Sequence, residues 1–133
     1  MRILGFVCEH GPEGAADLAA EQGLRHQEGV TLLSLPCGGR VESVQLLRAF
    51  REGADAVFVA CCLEGNCHHL YGNIEAGKRV EQVQGILETV GLGAKRLALF
   101  HVACNQPFRI PQIASEMTSR VEALGPNPLG ARR

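Results

Sequence analysis

The stretch Ala54-Asp55-Ala56-Val57-Phe58-Val59-Ala60 constrains the fold more than any other part of this chain. From Ala56 onward it is apolar at every position and rich in β-branched residues, so a strand built from it needs cover on both faces. Strands of that kind belong to parallel sheets flanked by helices, whereas antiparallel sheets commonly leave one face to water and alternate apolar with polar. Parallel neighbours must be joined by crossovers, and those are usually helices.

The rest of the chain reads as that alternation. Met1–Val7 is a continuous apolar strand interrupted only by Arg2 and Gly5, followed by a Gly- and Pro-containing turn. Ala15–Glu21 is Ala-rich with strong helix formers, and Gly23 is a natural stop. Val30–Leu35 is a second β-type run, closed by Pro36-Cys37-Gly38-Gly39-Arg40. Ser43–Arg51 places Val44, Leu46, Leu47 and Phe50 at helical spacing, and Asn73–Val90 does the same with Ile74, Val80, Val83, Ile86, Leu87 and Val90. Arg96–Val102 reads as the fourth strand and Ile110–Leu124 as the last helix. The Gly-, Pro- and Arg-rich segment Gly125–Arg133 reads as a flexible tail. The expectation is an α/β protein: one three-layer domain over residues 1–124 with a four-stranded parallel sheet, flavodoxin-like or half-Rossmann, and a tail over 125–133.

A length of 133 residues suits one domain with a real core. Charged residues are 20% of the chain and the formal net charge is −1, which gives no electrostatic reason to expect a nucleic acid partner. The apolar run at the start is strand-sized, too short for a secretory signal or a membrane span. Direct membrane insertion is not expected.

The unusual count is six cysteines. With no export signal legible and an apolar fraction of 46% supplying a core, a disulfide framework is neither expected nor needed, and clustered cysteines in a reducing cytosol point to metal or redox chemistry. Cytoplasmic location is the corresponding expectation. In the predicted topology Cys8 follows the first strand, Cys37 the second, Cys61, Cys62 and Cys67 the third, and Cys104 the fourth. All fall at carboxyl ends of strands, the edge where open α/β sheets bind ligands. Cysteines used as buried filler would scatter through helices as well. Cys61 alone, adjoining the apolar run of its strand, reads as such a buried small hydrophobe.

Soft thiolates hold either tetrahedral Zn²⁺ or an iron–sulfur cluster. Structural zinc sites usually show paired Cys-x2–4-Cys hairpins, whereas here Cys62-x4-Cys67 stands by itself and no CxxC occurs. Gly38, Gly39 and Gly65, with Gly72 beyond, let loop backbone approach a bound group and aim N–H donors at its sulfurs. Arg40, beside Cys37, offers a cation to a reduced cluster or to a partner carboxylate. His10 is a spare donor two residues past Cys8, and His68 and His69 adjoin Cys67. His101 reads as a strand residue of the core and His26 as surface. Two other classes remain open on the residues alone: a zinc-binding structural or adaptor domain, and a thiol-disulfide or persulfide enzyme using Cys61, Cys62, Cys67 or Cys104.

Three segments taken together, Pro36-Cys37-Gly38-Gly39-Arg40-Val41-Glu42, Ala49 through Val57 (AFREGADAV), and Cys62-Leu63-Glu64-Gly65-Asn66-Cys67-His68 with Tyr71-Gly72-Asn73, resemble the delta subunit family of methyl-viologen-reducing (F420-non-reducing) hydrogenase. The resemblance runs from about Ile3 to Phe108. It implies a protein that carries a [2Fe–2S] cluster and relays electrons between a hydrogenase or formate dehydrogenase-type module and a flavin-containing heterodisulfide-reductase-like subunit. It also implies the ligand set: Cys8 matches the first cysteine of the family's N-terminal element, Cys37 the cysteine of CxGR, and Cys62 and Cys67 the pair after the third strand. Gly11 stands where the family usually has a second N-terminal cysteine. Cys61 and Cys104 are additions to that pattern.

Overall fold

A computed structural model describes residues 2–8, 29–35, 42–61, 72–102, 106 and 108–129. The described elements, in chain order, are β1 (Ile3–Cys8), β2 (Val30–Leu35), α1 (Ser43–Arg51), β3 (Ala56–Cys61), α2 (Gly72–Thr89), a short 3-10 turn (Ala94–Arg96), β4 (Leu97–His101) and α3 (Arg109–Leu124). The four strands form one sheet in the order β2-β1-β3-β4, with every neighbouring pair parallel. The expected α/β architecture is therefore present, and the strand order is that of the first four strands of a flavodoxin-like sheet. The helix expected over Ala15–Glu21 lies outside the described residues.

Side chains alternate across the sheet with the period of two that strand geometry dictates. Ile3 and Val7 of β1, Ala56, Phe58 and Ala60 of β3, and Ala98 of β4 meet Ile110, Ile113, Ala114, Met117 and Val121 of α3 on one face. Phe6, Val57, Val59, Cys61 and Leu97 meet Leu46, Ala49 and Phe50 of α1 and Ala76, Val80, Val83 and Leu87 of α2 on the other. Every residue of β3 is buried, which is what its unbroken apolar sequence requires. At roughly 25 cal/mol per Å² of apolar surface, side chains such as Phe58 and Phe50 each stabilise by about 2–3 kcal/mol relative to exposure.

Local chemistry sets the element ends. The main-chain N–H of Glu42 donates to Gln45 Oε1 at 2.8 Å, which satisfies a donor at the start of α1. Gly53, at φ 103°, turns the chain out of that helix, a conformation that a Cβ resists. β3 begins at Ala56 rather than Ala54 because the two preceding residues bond elsewhere: Ala54 N–H donates to Ala49 O at 3.0 Å and Asp55 N–H to Arg2 O at 2.8 Å.

The segment after α3 reads as a frayed tail by composition, yet the chain is tied down as far as Leu129. Asn127 is fully buried; its Nδ2 donates to the carbonyls of Phe50 at 2.9 Å and Ala54 at 2.8 Å, and its Oδ1 accepts from Leu129 N–H at 2.9 Å. Beside it, buried Arg96 donates to the carbonyls of Leu92, Asp55 and Gly125. This polar knot closes the end of the sheet where β3 and β4 begin.

Candidate metal centre at the carboxyl edge

Parallel pairing puts all four strand ends on one edge, and the register places two cysteines there. Cys8 is the last residue of β1, in register with Leu35, the last of β2. Cys61 is the last residue of β3, in register with His101, the last of β4. Both cysteines thus close their strands, where the sequence suggests a position just beyond the strand end. β1 lies between β2 and β3, and neighbouring strands are about 4.8 Å apart, so the chain leaves three adjacent strands within about 10 Å.

That spacing matters because two further cysteines come soon after these strand ends. Cys37 stands two residues past Leu35, and Cys62 directly after Cys61. The order β2-β1-β3 also makes the gap between β1 and β3 a topological switch point, since the chain moves outward to β2 and then returns across β1 to β3. Helices α1 and α3 run back from this edge after β2 and β4, so their positive N-terminal ends lie toward it, a polarity that suits an anionic thiolate-bound group.

The predicted site residues divide as follows. The main chain of Cys8 is described, at the central strand end. Cys37, Cys62 and Cys67, the glycines Gly38, Gly39 and Gly65, and Arg40 lie outside the described residues, as do Cys104, His10, His26, His68 and His69. Among the described residues, no group of three or more His, Cys, Asp or Glu side chains is arranged to hold a metal ion. Thiolate is the donor type that an iron–sulfur group takes, and among the described residues Cys8 and Cys61 close their strands at this edge.

Two side chains at this edge are described in full. Cys61 is 1% exposed and packs with Val57, Val59, Val80 and Val83 in the apolar layer under α1 and α2. It therefore behaves as a buried hydrophobe, and its thiol is shielded from solvent reagents. His101, expected in the core, is instead only half-buried, because it sits at the mouth of the sheet where helix cover ends. Its position across the ladder from Cys61 was hidden in the sequence, where strand pairing over forty positions leaves no local signal. Close by, the Phe100 ring meets Phe58 edge-on at 6.3 Å and the Arg109 guanidinium carbon at 5.9 Å from its centroid.

A described cavity of about 280 Å³ lies at the opposite, amino edge, between Arg2, Ile3, Gly29, Thr31, Glu52 and Ala54. No helix of the described residues is long and apolar enough to cross a membrane.

Similarity to known proteins converges on one family. A family model described as methyl-viologen-reducing hydrogenase, delta subunit, matches residues 3–125. The iron-sulfur subunit of the vhu F420-non-reducing hydrogenase of Methanocaldococcus jannaschii is 38% identical over 98% of this chain and 97% of its own length. Its counterpart from Methanococcus maripaludis is 39% identical over 97% and 96%. One polypeptide of the ferredoxin/F(420)H(2)-dependent CoB-CoM heterodisulfide reductase of Methanosarcina acetivorans is 29% identical over 93% of this chain, which corresponds to 16% of that larger protein. With a parallel sheet whose central strand ends in Cys8 and a match covering nearly the whole length, this chain belongs to the methyl-viologen-reducing hydrogenase delta-subunit family.

Proposed function

We propose that this chain is an electron-relay subunit whose carboxyl edge holds a [2Fe–2S] cluster through Cys8, Cys37, Cys62 and Cys67. The observation that carries this reading is the placement of Cys8 at the end of β1, between the strands after which Cys37 and Cys62 follow. Supporting it are the relatives named as iron-sulfur subunits. When bound, such a group supplies a one-electron donor and acceptor at a potential set by thiolate ligation, N–H donors and exposure.

The protein's own residues have supporting tasks. Glycine at positions 38, 39 and 65 would allow loop N–H donors to approach a bound cluster, and Arg40 would offset the added negative charge of its reduced state. The buried layers beneath, anchored by Cys61 and Val59 on one side and Phe58 on the other, keep the strand ends fixed so that little reorganisation accompanies electron gain or loss.

The partners in this reading are a hydrogenase or formate dehydrogenase-type module and a flavin-containing heterodisulfide-reductase-like subunit. The Methanosarcina acetivorans protein motivates the second, because there a segment similar to this chain forms part of a larger heterodisulfide reductase polypeptide. The setting is cytoplasmic.

The test is anaerobic single-turnover transfer. Reduced protein is mixed with its flavin-containing partner and flavin reduction is followed optically. The relay reading expects transfer by the wild type and at least about a hundredfold slowing in Cys62→Ser, a loss consistent with removing a required ligand. Equal rates for the two would overturn it.

A further inference from the structure

Helix α3 begins against the usual chemistry of a helix start. Its N-cap is Phe108, which makes no side-chain cap bond, and its first residue is Arg109, with no acidic residue in the first turn. Helix starts favour Ser, Thr, Asp or Asn at the cap and acids after it, because free N–H groups and the positive end of the helix dipole attract negative charge and repel a cation. The neighbouring sequence does not compensate, since no Asp or Glu occurs between Glu88 and Glu116. Chains break local rules of this kind mainly at functional positions.

The surrounding side chains hold the cation in place. Arg109 is half-buried, its Nη1 donates to Gln112 Oε1 at 2.7 Å, and its guanidinium carbon stands 5.9 Å from the centroid of the Phe100 ring. That ring is braced edge-on by fully buried Phe58 at 6.3 Å. Val7, Ala60 and Phe100 are register partners across β1, β3 and β4, and the next row closes these strands with Cys8, Cys61 and His101. Ile110, beside Arg109, belongs to the same buried cluster as Val7 and Ala60, with Phe100 packed against it, so the start of α3 lies over this row. With strands about 4.8 Å apart, Arg109 is a fixed cation on the order of 10–15 Å from the end of β1.

We infer that Arg109 sets the reduction potential of the cluster proposed at this edge by favouring its reduced state. The inference rests on the relay reading. Uptake of one electron from a reductant makes the cluster one unit more negative, and a fixed positive charge at this range attracts the reduced form more than the oxidised one. Phe100 and Gln112 are positioning residues in this account: they keep the guanidinium against the protein, where water screens it less than on a freely moving side chain.

The test is an anaerobic redox titration of the full chain, with dithionite as reductant and mediator dyes, followed through the paramagnetic signal of the reduced cluster. Wild type, Arg109→Gln and Arg109→Lys are compared, each with its iron content measured. At the midpoint potential of the wild type, the ratio of reduced to oxidised cluster should fall at least about twofold in Arg109→Gln and by clearly less in Arg109→Lys, which keeps the charge. Iron content should be equal in all three. A smaller change in Arg109→Gln, or equal falls in the two variants, would overturn the inference and leave the relay reading standing. A folded wild type without iron would overturn both. If circular dichroism shows Arg109→Gln unfolded, Arg109→Glu, whose carboxylate suits a helix start, is read by the same criteria.

Discussion

The main-chain N–H of Asn127 donates to Oδ1 of Asp55 at 2.7 Å, joining the segment after the last helix to the residue just before strand β3. The other carboxylate oxygen of Asp55 accepts from Arg2 N–H at 2.8 Å, so a single side chain links the start of β1, the start of β3 and the C-terminal segment. All of these groups lie at the amino edge, the full length of the strands away from Cys8. Separation of this kind anchors the fold at the edge opposite Cys8.

Truncating Asn127 tests that anchor. Asn127→Ala takes the Asn127 donor from the carbonyl of Ala54 and leaves the carbonyl of Phe50 with Gly53 N–H at 3.1 Å, and the cost should be about 1–3 kcal/mol in denaturant unfolding. Iron content per folded chain should be unchanged, because the loss falls at the edge opposite the cysteines.

Gly5 offers a second test. A Cβ at this position would overlap the Phe58 ring, which lies across β1 at the paired position. Gly5→Ala should therefore destabilise by about 1–3 kcal/mol, the usual cost of overpacking a filled core. Combining it with Phe58→Leu should recover part of the loss, so that the double variant costs less than the sum of the singles. Strict additivity in thermal or chemical unfolding would contradict the contact.

These two positions also mark how far the sequence could be read. The strand Val30–Leu35 and the helix Ser43–Arg51 are found at the bounds their patterns predict, because local periodicity and turn residues decide them. Gly5 interrupts an apolar run for a reason that only strand pairing supplies, namely the ring of a residue over fifty positions away. Asn127, in a stretch whose composition suggests fraying, is buried through bonds of equally long range. At the site, the cysteine positions at strand ends were legible and Cys8 and Cys61 fall there. The half-buried position of His101 opposite Cys61 was not legible, since burial at a sheet's mouth depends on where the flanking helices begin.

Cys61 and Cys62 are neighbours in sequence with opposite expected behaviour. Cys61→Ala should retain iron and visible absorbance while losing about 1 kcal/mol of stability from a small cavity. In native protein, the Cys61 thiol should also resist alkylation, given its 1% exposure. Mass spectrometry after brief iodoacetamide treatment checks the second point. Loss of iron in Cys61→Ala would place Cys61 among the ligands and remove it from the role of core residue.

The measurement that bears most directly on the central claim is metal content and electron paramagnetic resonance of anaerobically purified protein, wild type beside Cys8→Ala. The account predicts about two irons per wild-type chain, a signal that develops on dithionite reduction, and loss of both in a Cys8→Ala protein that remains folded by circular dichroism. Stoichiometric zinc, a folded wild type without iron, or an unaltered signal in Cys8→Ala would contradict it.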